Sequence, residues 1–367
     1  MILIVLIGLF HTKAQSEPTV VKDSLLWDKI SAIRHPFLLM FGEEHDFVSN
    51  SQVEIRWTDY LLDHKCINTI LLEYDPSYVL WLKMTLQNGD SALLFNLSKQ
   101  NKALQLYWKF LFKKYNGVPV EKIPIYGIDV IDNMDYFFSR WDKYAELLNN
   151  KSQEFQMLKK MIHDGSVKKR KNKSIEKIIA YVQSIDMNKN LSIEMRYLIN
   201  GLKTYRSLGK KRIRLEERDT FMYENYTHLH RNVPNLQAIL FVGKLHMAKT
   251  TFKLGKDKVS PLGAMIMNYN KSLLPQTPNE LITILFSYEM KVQNTNESKY
   301  IKENRYDAVR RFQLSYKMPC EYIQKEDIEL PEIPINSISD LMFVHNQCTD
   351  YVMLIYVEDM RSRIDFN

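Results

Sequence analysis

Cysteine is scarce in this sequence: three residues, Cys66, Cys320 and Cys348, among 367. So few cannot build the dense disulfide framework that holds small exported domains, and a chain of this length must rely on its hydrophobic core. Cys320 and Cys348 can pair in the C-terminal segment. Cys66 precedes an apolar strand and reads as a buried free thiol. Long apolar runs are also missing. The run from Ile2 to Phe10 is shorter than the roughly 20 residues that cross a bilayer. Polar residues and the small Ala14 follow it, with Thr12 two positions before, so residues 1–16 read as a signal peptide and the protein as exported, either periplasmic or secreted. No cysteine in that region is placed for a lipid anchor, which favours a soluble exported form. Internal repeats and low-complexity segments are absent. The densest basic run, Lys168, Lys169, Arg170, Lys171 and Lys173, has no aromatic residue between its charges. Single-strand binders pair positive charge with stacking rings, so this run reads as a solvated loop and nucleic acid is not expected as a partner. The formal charge of +7 is dispersed among 43 acidic residues.

What is present is a chain that is 45% hydrophobic, enough for one large core or two modest ones. Short apolar runs alternate with longer stretches of helical spacing, the signature of strands joined by crossover helices. Four strands are expected early, at Phe37 to Phe41, Ile67 to Leu72, Ile123 to Ile128 and Leu236 to Val242. Each is apolar on both faces, as in a mainly parallel sheet covered on both sides. Later strands are expected at Leu281 to Ser287, Leu341 to His345 and Val352 to Val357. Helices are expected at Gln52 to Lys65, at Ser77 to Gln87 after the first-turn Pro76, at Tyr136 to Asn149, at Ile178 to Leu208 and at Lys211 to His230. The fold expected is α/β, a mainly parallel sheet flanked by helices. Residues 17–367 form a single domain with a large helical insertion at about 134–232, placed by the absence of strand patterning there.

In open α/β sheets ligands bind outside the carboxyl ends of the strands, so the residues that follow each strand are the functional candidates. The first strand is followed by Gly42, Glu43, Glu44, His45 and Asp46. The second ends at Glu73 and Asp75, the third at Gly127 and Asp129, and the fourth at Gly243, Lys244, Leu245 and His246. A single histidine after a strand is usually a hydrogen-bonded structural residue. Glu43, Glu44 and Asp129 can be helix caps, and Lys249 a helix-surface charge. Yet the same Gly-x-x-His arrangement follows two strands nearly 200 residues apart, which weakens the structural reading. Glycine lets the chain leave the strand sharply, and histidine can move a proton near neutral pH. Arg218, Met222 and Asn225, spaced i, i+4 and i+7, share one helix face. An arginine aimed at the rim of the sheet can stabilise an oxyanion.

Gly42-Glu43-Glu44-His45-Asp46, the strand ending in Glu73, Gly127-Ile128-Asp129, Arg218-Asp219-x-x-Met222-x-x-Asn225 and Gly243-Lys244-Leu245-His246 resemble, in the same order, the erythromycin esterase-like and ChaN-like superfamily with its Tiki-like relatives. The resemblance runs from about residue 37 to residue 265 and includes Pro261-Leu262-Gly263; the arginine-containing helix is its most specific part. In the esterase branch it implies that His45 is the base that activates water, that Glu73 assists it, and that Arg218 and His246 bind substrate or stabilise the transition state, without a metal. The spacing from Gly42 to His45 is nearer to that of the ChaN-like and Tiki-like members.

Three functions therefore remain open. The first is a cofactor-free hydrolase of an ester or similar carbonyl in a small-molecule substrate, with His45, Glu73, His246 and Arg218 catalytic and Glu43, Glu44 and Asp129 near the substrate. The second is a hydrolase or peptidase with one divalent metal ion on His45, Glu73 and His246, since two histidines and a carboxylate form a common zinc set. The third is a haem binder using Tyr74, Tyr78 or other tyrosines as ligands or stacking surfaces.

Overall fold

Residues 37–42 are all buried, so this strand must be covered on both of its faces. Side chains alternate along a strand: Phe37, Leu39 and Phe41 enter one apolar cluster, while Leu38 and Met40 enter another. Two layers of helices follow from that pattern. The computed structural model describes residues 19–21, 23–43, 48–97, 102–130, 156–157, 160–161, 180, 215–249, 251–254, 257–273, 280–290, 321–324, 334–335 and 351–357.

The chain runs through β1 (Thr19–Val21), α1 (Asp23–Ala32), β2 (Phe37–Glu43), α2 (Val48–Asp63), β3 (Thr69–Leu72), α3 (Pro76–Gln87), α4 (Ser91–Leu97), α5 (Lys102–Tyr115) and β4 (Ile125–Gly127). It continues with α6 (Leu215–Asn232), β5 (Gln237–Gly243), β6 (Phe252–Leu254), β7 (Asp257–Val259), α7 (Leu262–Ser272), β8 (Glu280–Met290), β9 (Glu321–Gln324), β10 (Pro334–Ile335) and β11 (Tyr351–Val357). The main sheet has the order β1-β9-β11-β8-β2-β5-β3-β4, and β10, β6 and β7 form a small second sheet. From β4 to β11 every pairing is parallel. Only the far edge, where β9 lies between β11 and β1, is antiparallel.

Helices α2, α3 and α5 cover one face, with Trp57, Leu82 and Trp108 buried against the sheet. Helices α6 and α7 cover the other through Met222, Tyr226, Leu262 and Ile266. The chain leaves β2 through α2 on one face to reach β3, and leaves β5 through α7 on the opposite face to reach β8. Right-handed crossovers require this whenever successive connections run in opposite directions. The adjacent carboxyl ends of β2 and β5, where Glu43 pairs with Gly243, are therefore the topological switch point at which such sheets bind ligands.

The α/β reading and its mainly parallel sheet agree with this architecture, and several details differ. β3 starts at Thr69, not Ile67, because Cys66 and Ile67 donate back to Leu61 O and close α2 through Lys65, at φ 54°. The amphipathic α5, with Tyr107, Trp108, Leu111 and Tyr115 buried, is an element the strand-centred reading passes over. Lys249 lies on a bend, not a helix. Cys66 is buried and free. The expected signal peptide, the helices at Tyr136 to Asn149 and Ile178 to Leu208, the strand at Leu341 to His345, the basic run and Cys320 and Cys348 lie outside the described residues. Of the insertion at 134–232, α6 is the element described at length. Among the described residues no helix is long and apolar enough to cross a membrane.

Gly127 marks where β4 meets the turn into α3. A Cβ there would lie 2.4 Å from Tyr74 O and 2.7 Å from Asp75 O, both backbone atoms. Substituting Gly127→Ala should destabilise the fold by about 1–3 kcal/mol through overpacking, seen as a lower urea midpoint with an unchanged m-value. An unchanged midpoint would show that this turn can yield.

Candidate functional site

Glu73, one residue beyond β3, stands at the centre of the switch-point end of the sheet. The turn that carries it is fixed on both sides. Asp75 caps α3, its side chain accepting from Ser77 N at 2.8 Å and Tyr78 N at 3.0 Å. The exit from β4 runs alongside, with Ile128 N donating to Leu72 O and Asp129 N to Tyr74 O, each at 3.0 Å. Asp75, which also follows β3, is thereby accounted for as a cap.

Helix α6 brings the opposite charge. Arg218 Nε donates to Asp129 Oδ1 at 2.9 Å, and its Nη2 donates to Asp129 Oδ2 at 2.5 Å and to Glu73 Oε1 at 2.6 Å. Two turns later Asn225 Nδ2 donates to Ile128 O at 2.9 Å and to Asp129 O at 3.3 Å. Met222, fully buried, packs between them on the core side. The shared face of positions 218, 222 and 225 is thus the docking face of α6 against the ends of β3 and β4. Each polar residue on it satisfies a buried polar group that the strand ends leave behind.

The turn after β5 completes the set. Gly243 N donates to Glu73 Oε2 at 2.6 Å. The 244–246 turn carries His246 inward, where its side chain is only 4% exposed and its Nε2 lies 3.5 Å from Glu73 Oε1. Its Nδ1 meets Asp219 Oδ1, a carboxylate with no exposed side-chain surface. Gly42 makes this approach possible, since a Cβ there would lie 1.8 Å from Met247 Sδ and 3.2 Å from Lys244 Cα. The glycine of the first motif therefore makes room for the turn of the second.

The structure brings together Glu73, Arg218, His246 and Asp129 of the expected residues. Glu43 ends β2 opposite Gly243. Glu44 and His45 lie outside the described residues. Asp219 is the group that reading from the strand ends overlooks. Its signal was present in the sequence: an acidic residue beside Arg218 on a helix face otherwise committed to the core.

The charges are tightly coupled. Burial disfavours a charge on Arg218, but Asp129 and Glu73 overcome it and raise its pKa further. Burial likewise opposes a charge on His246, yet hydrogen bonds to Asp219 and Glu73, with their negative charges, push its pKa up to about 10. Burial raises the Asp219 pKa while His246 and Arg218 oppose that rise. The proton shared by this pair belongs on the imidazole, because a neutral histidine would leave Glu73, Asp129 and Asp219 facing Arg218 alone.

Of the three residues expected to hold a divalent ion, Glu73 and His246 are described and His45 is not. Both Glu73 oxygens already accept hydrogen bonds, and both His246 nitrogens face carboxylates. Among the described residues no group of three His, Cys, Asp or Glu side chains is arranged to hold a metal. Tyr74 and Tyr78, two of the tyrosines of the haem-binder reading, lie in an aromatic cluster. They stack with centroids 5.0 Å apart and both pack near Trp108. Burial, Tyr78 and the nearby carboxylates raise the Tyr74 pKa well above its ordinary value.

No family model matches the chain, and no curated protein matches it either. Solved structures do. A Bacillus cereus protein aligns over 90% of this chain and 90% of its own at 14% identity, with a TM-score of 0.52. A succinoglycan biosynthesis protein aligns over 93% and 95% at 12% identity, with a TM-score of 0.51. Both share the fold over nearly the whole chain, and at these identities they show the fold alone. An erythromycin esterase variant in an open conformation covers 72% of each chain at 14% identity and a TM-score of 0.46.

Two predictions follow from the charges. Replacing Arg218 by Met leaves Glu73 and Asp129, 8% and 13% exposed, without their cation. The loss should be on the order of 2–4 kcal/mol, below the full cost for a buried pair because Arg218 is itself 32% exposed; equilibrium denaturation measures it. Separately, a histidine whose pKa rises on folding stabilises the fold fully below its unfolded value near 6.5. That stability is lost as pH rises through the folded value. The thermal midpoint should therefore decline from about pH 6.5 toward 10, and decline less in His246→Gln. Parallel pH profiles of the two proteins would discount the coupling.

Proposed function

We propose that this protein is an exported hydrolase that cleaves an ester or similar carbonyl in a small-molecule substrate, with water activated by His45. The observation that supports this best is the use Arg218 makes of its donors. Three N–H groups hold Asp129 and Glu73, while among the described residues no acceptor meets Nη1, on a side chain 32% exposed. Two donors of an immobilised guanidinium are thus left for a substrate oxygen, a pre-set arrangement of the kind that stabilises an oxyanion. They lie beside a fixed, ionised Glu73 at the end of the sheet where His45 follows Glu43 by two residues in sequence.

A carboxylate has about four acceptor sites, enough for the Arg218, His246 and Gly243 donors and for the His45 imidazole as well. Glu73 then orients His45 and favours its charged form as it takes a proton from water. The carbonyl becomes tetrahedral as the oxygen of that water bonds to its carbon, and the new oxyanion falls to Arg218 Nη1. Transfer of the proton from His45 to the leaving oxygen completes cleavage. Glu43 and Glu44 flank the substrate, and Asp129 acts through Arg218. The motif resemblance to the esterase branch supports these roles, and the apolar run from Ile2 to Phe10 supports export.

Purified mature protein should be assayed against a panel of p-nitrophenyl esters and lactones, with and without chelator. His45→Asn should abolish turnover of any ester that is cleaved while leaving the thermal midpoint near that of the wild type. Glu73→Gln should reduce turnover by roughly 10²–10⁴. Undiminished hydrolysis in His45→Asn would end this mechanism, and loss of activity with chelator would favour the divalent-metal alternative.

A further inference from the structure

We infer that Asp219 is a positioning residue that holds His246 as a fixed double donor, one ring N–H to Asp219 and the other toward Glu73, so that His246 serves the site as a stationary cation. This deepens the proposed hydrolase and rests on it for the use made of that cation. The hydrogen-bond arrangement itself can be tested without any substrate.

An ionised carboxylate only accepts, and a neutral imidazole has one N–H and one lone pair. His246 Nδ1 meets Asp219 Oδ1, and Nε2 stands 3.5 Å from Glu73 Oε1. Water has little access to mediate: the three side chains are 0%, 4% and 8% exposed for Asp219, His246 and Glu73. With either nitrogen unprotonated, a lone pair would point at a carboxylate in a buried space, which is repulsive. Both nitrogens must therefore carry hydrogen. The charge count agrees. Glu73, Asp129 and Asp219 bring three negative charges, Arg218 brings one positive, and a charged His246 supplies a second.

Asp219 is suited to this task by its place on α6. It adjoins Arg218 in sequence, so one turn of the helix delivers a guanidinium to Glu73 and Asp129 and a carboxylate to the far side of His246. Asp219 makes no hydrogen bond to Glu73 or Arg218 among the described residues, so its hydrogen-bonded link to the site runs through the imidazole, although its charge also acts on Arg218. A consequence for the reaction is a division of labour: the histidine after β5 holds its protons, which leaves proton transfer to the histidine after β2.

The experiment is ¹⁵N NMR of the imidazole nitrogens in the full-length protein near neutral pH, with His246 assigned by its absence in His246→Gln. The wild type should show both His246 nitrogens protonated, together with a far-downfield Nδ1–H proton. Asp219→Asn keeps the volume and an acceptor oxygen but removes the charge. It should lose the downfield proton and shift His246 to the pattern of a neutral ring, with a folded amide spectrum otherwise retained. A neutral His246 in the wild type overturns the inference, and so does a doubly protonated ring that persists in folded Asp219→Asn. Should that variant fail to fold, the wild-type spectrum decides: the downfield Nδ1–H supports the pairing and its absence refutes it. None of these readouts requires hydrolysis. An inactive protein with a doubly protonated His246 would count against the hydrolase alone, and an active one with a neutral His246 against Asp219 alone.

Discussion

Glu73 is a carboxylate 8% exposed at the edge of an apolar core, and much of the architecture around it answers the need to keep that charge satisfied. An unpaired ion in such a place would cost several kcal/mol. Satisfying it takes a backbone N–H from the end of β5, a guanidinium from α6 and an imidazole from the 244–246 turn. Each comes from a different part of the chain, up to 173 residues from Glu73 in sequence, so the ion also sets the relative placement of three elements. Arg218 extends the constraint to β4 through Asp129, and Asn225 secures the backbone there. Mutual satisfaction of this kind fixes the orientation of each donor, and fixed donors are what the proposed stabilisation of an oxyanion would require.

The strands of the sheet were legible because burial on both faces removes the usual alternation and leaves runs such as Phe37 to Phe41, which only a doubly covered strand explains. Placing the site at the strand ends followed from topology alone. The antiparallel edge was not legible. β1 and β9 are short, at 3 and 4 residues, and the pairing of Val20 with Ile323 joins segments that no local pattern connects. Helix α5 could have been read from the spacing of Tyr107, Trp108, Leu111 and Tyr115, a helical stripe in a stretch scanned for strands. The helix face of Arg218, Met222 and Asn225 was read correctly as a face but with an open purpose, because spacing tells which side chains align and not what they meet. Asp219 escaped for the same reason. Beside an arginine on a helix it looks like a local ion pair, and only the fold shows it turned toward a histidine 27 residues away.

The two Gly-x-x-His motifs invite a symmetric interpretation that the packing does not support. Gly42 lacks a side chain where Met247 and the 244–246 turn press against it, so its freedom serves close approach between the motifs. Gly243 instead offers its N–H to Glu73. The second histidine is enclosed by carboxylates on both nitrogens, and an imidazole so held is a poor base, since releasing a proton would leave unbalanced negative charge in a buried space. A base that cycles through its protonated form needs an environment tolerant of both states. Gly42 lies within β2 and Gly243 ends β5, so the similarity of the motifs in sequence does not extend to what their glycines do. For the motif after β5, the setting of the imidazole is fixed by what the neighbouring helix supplies, the carboxylate of Asp219.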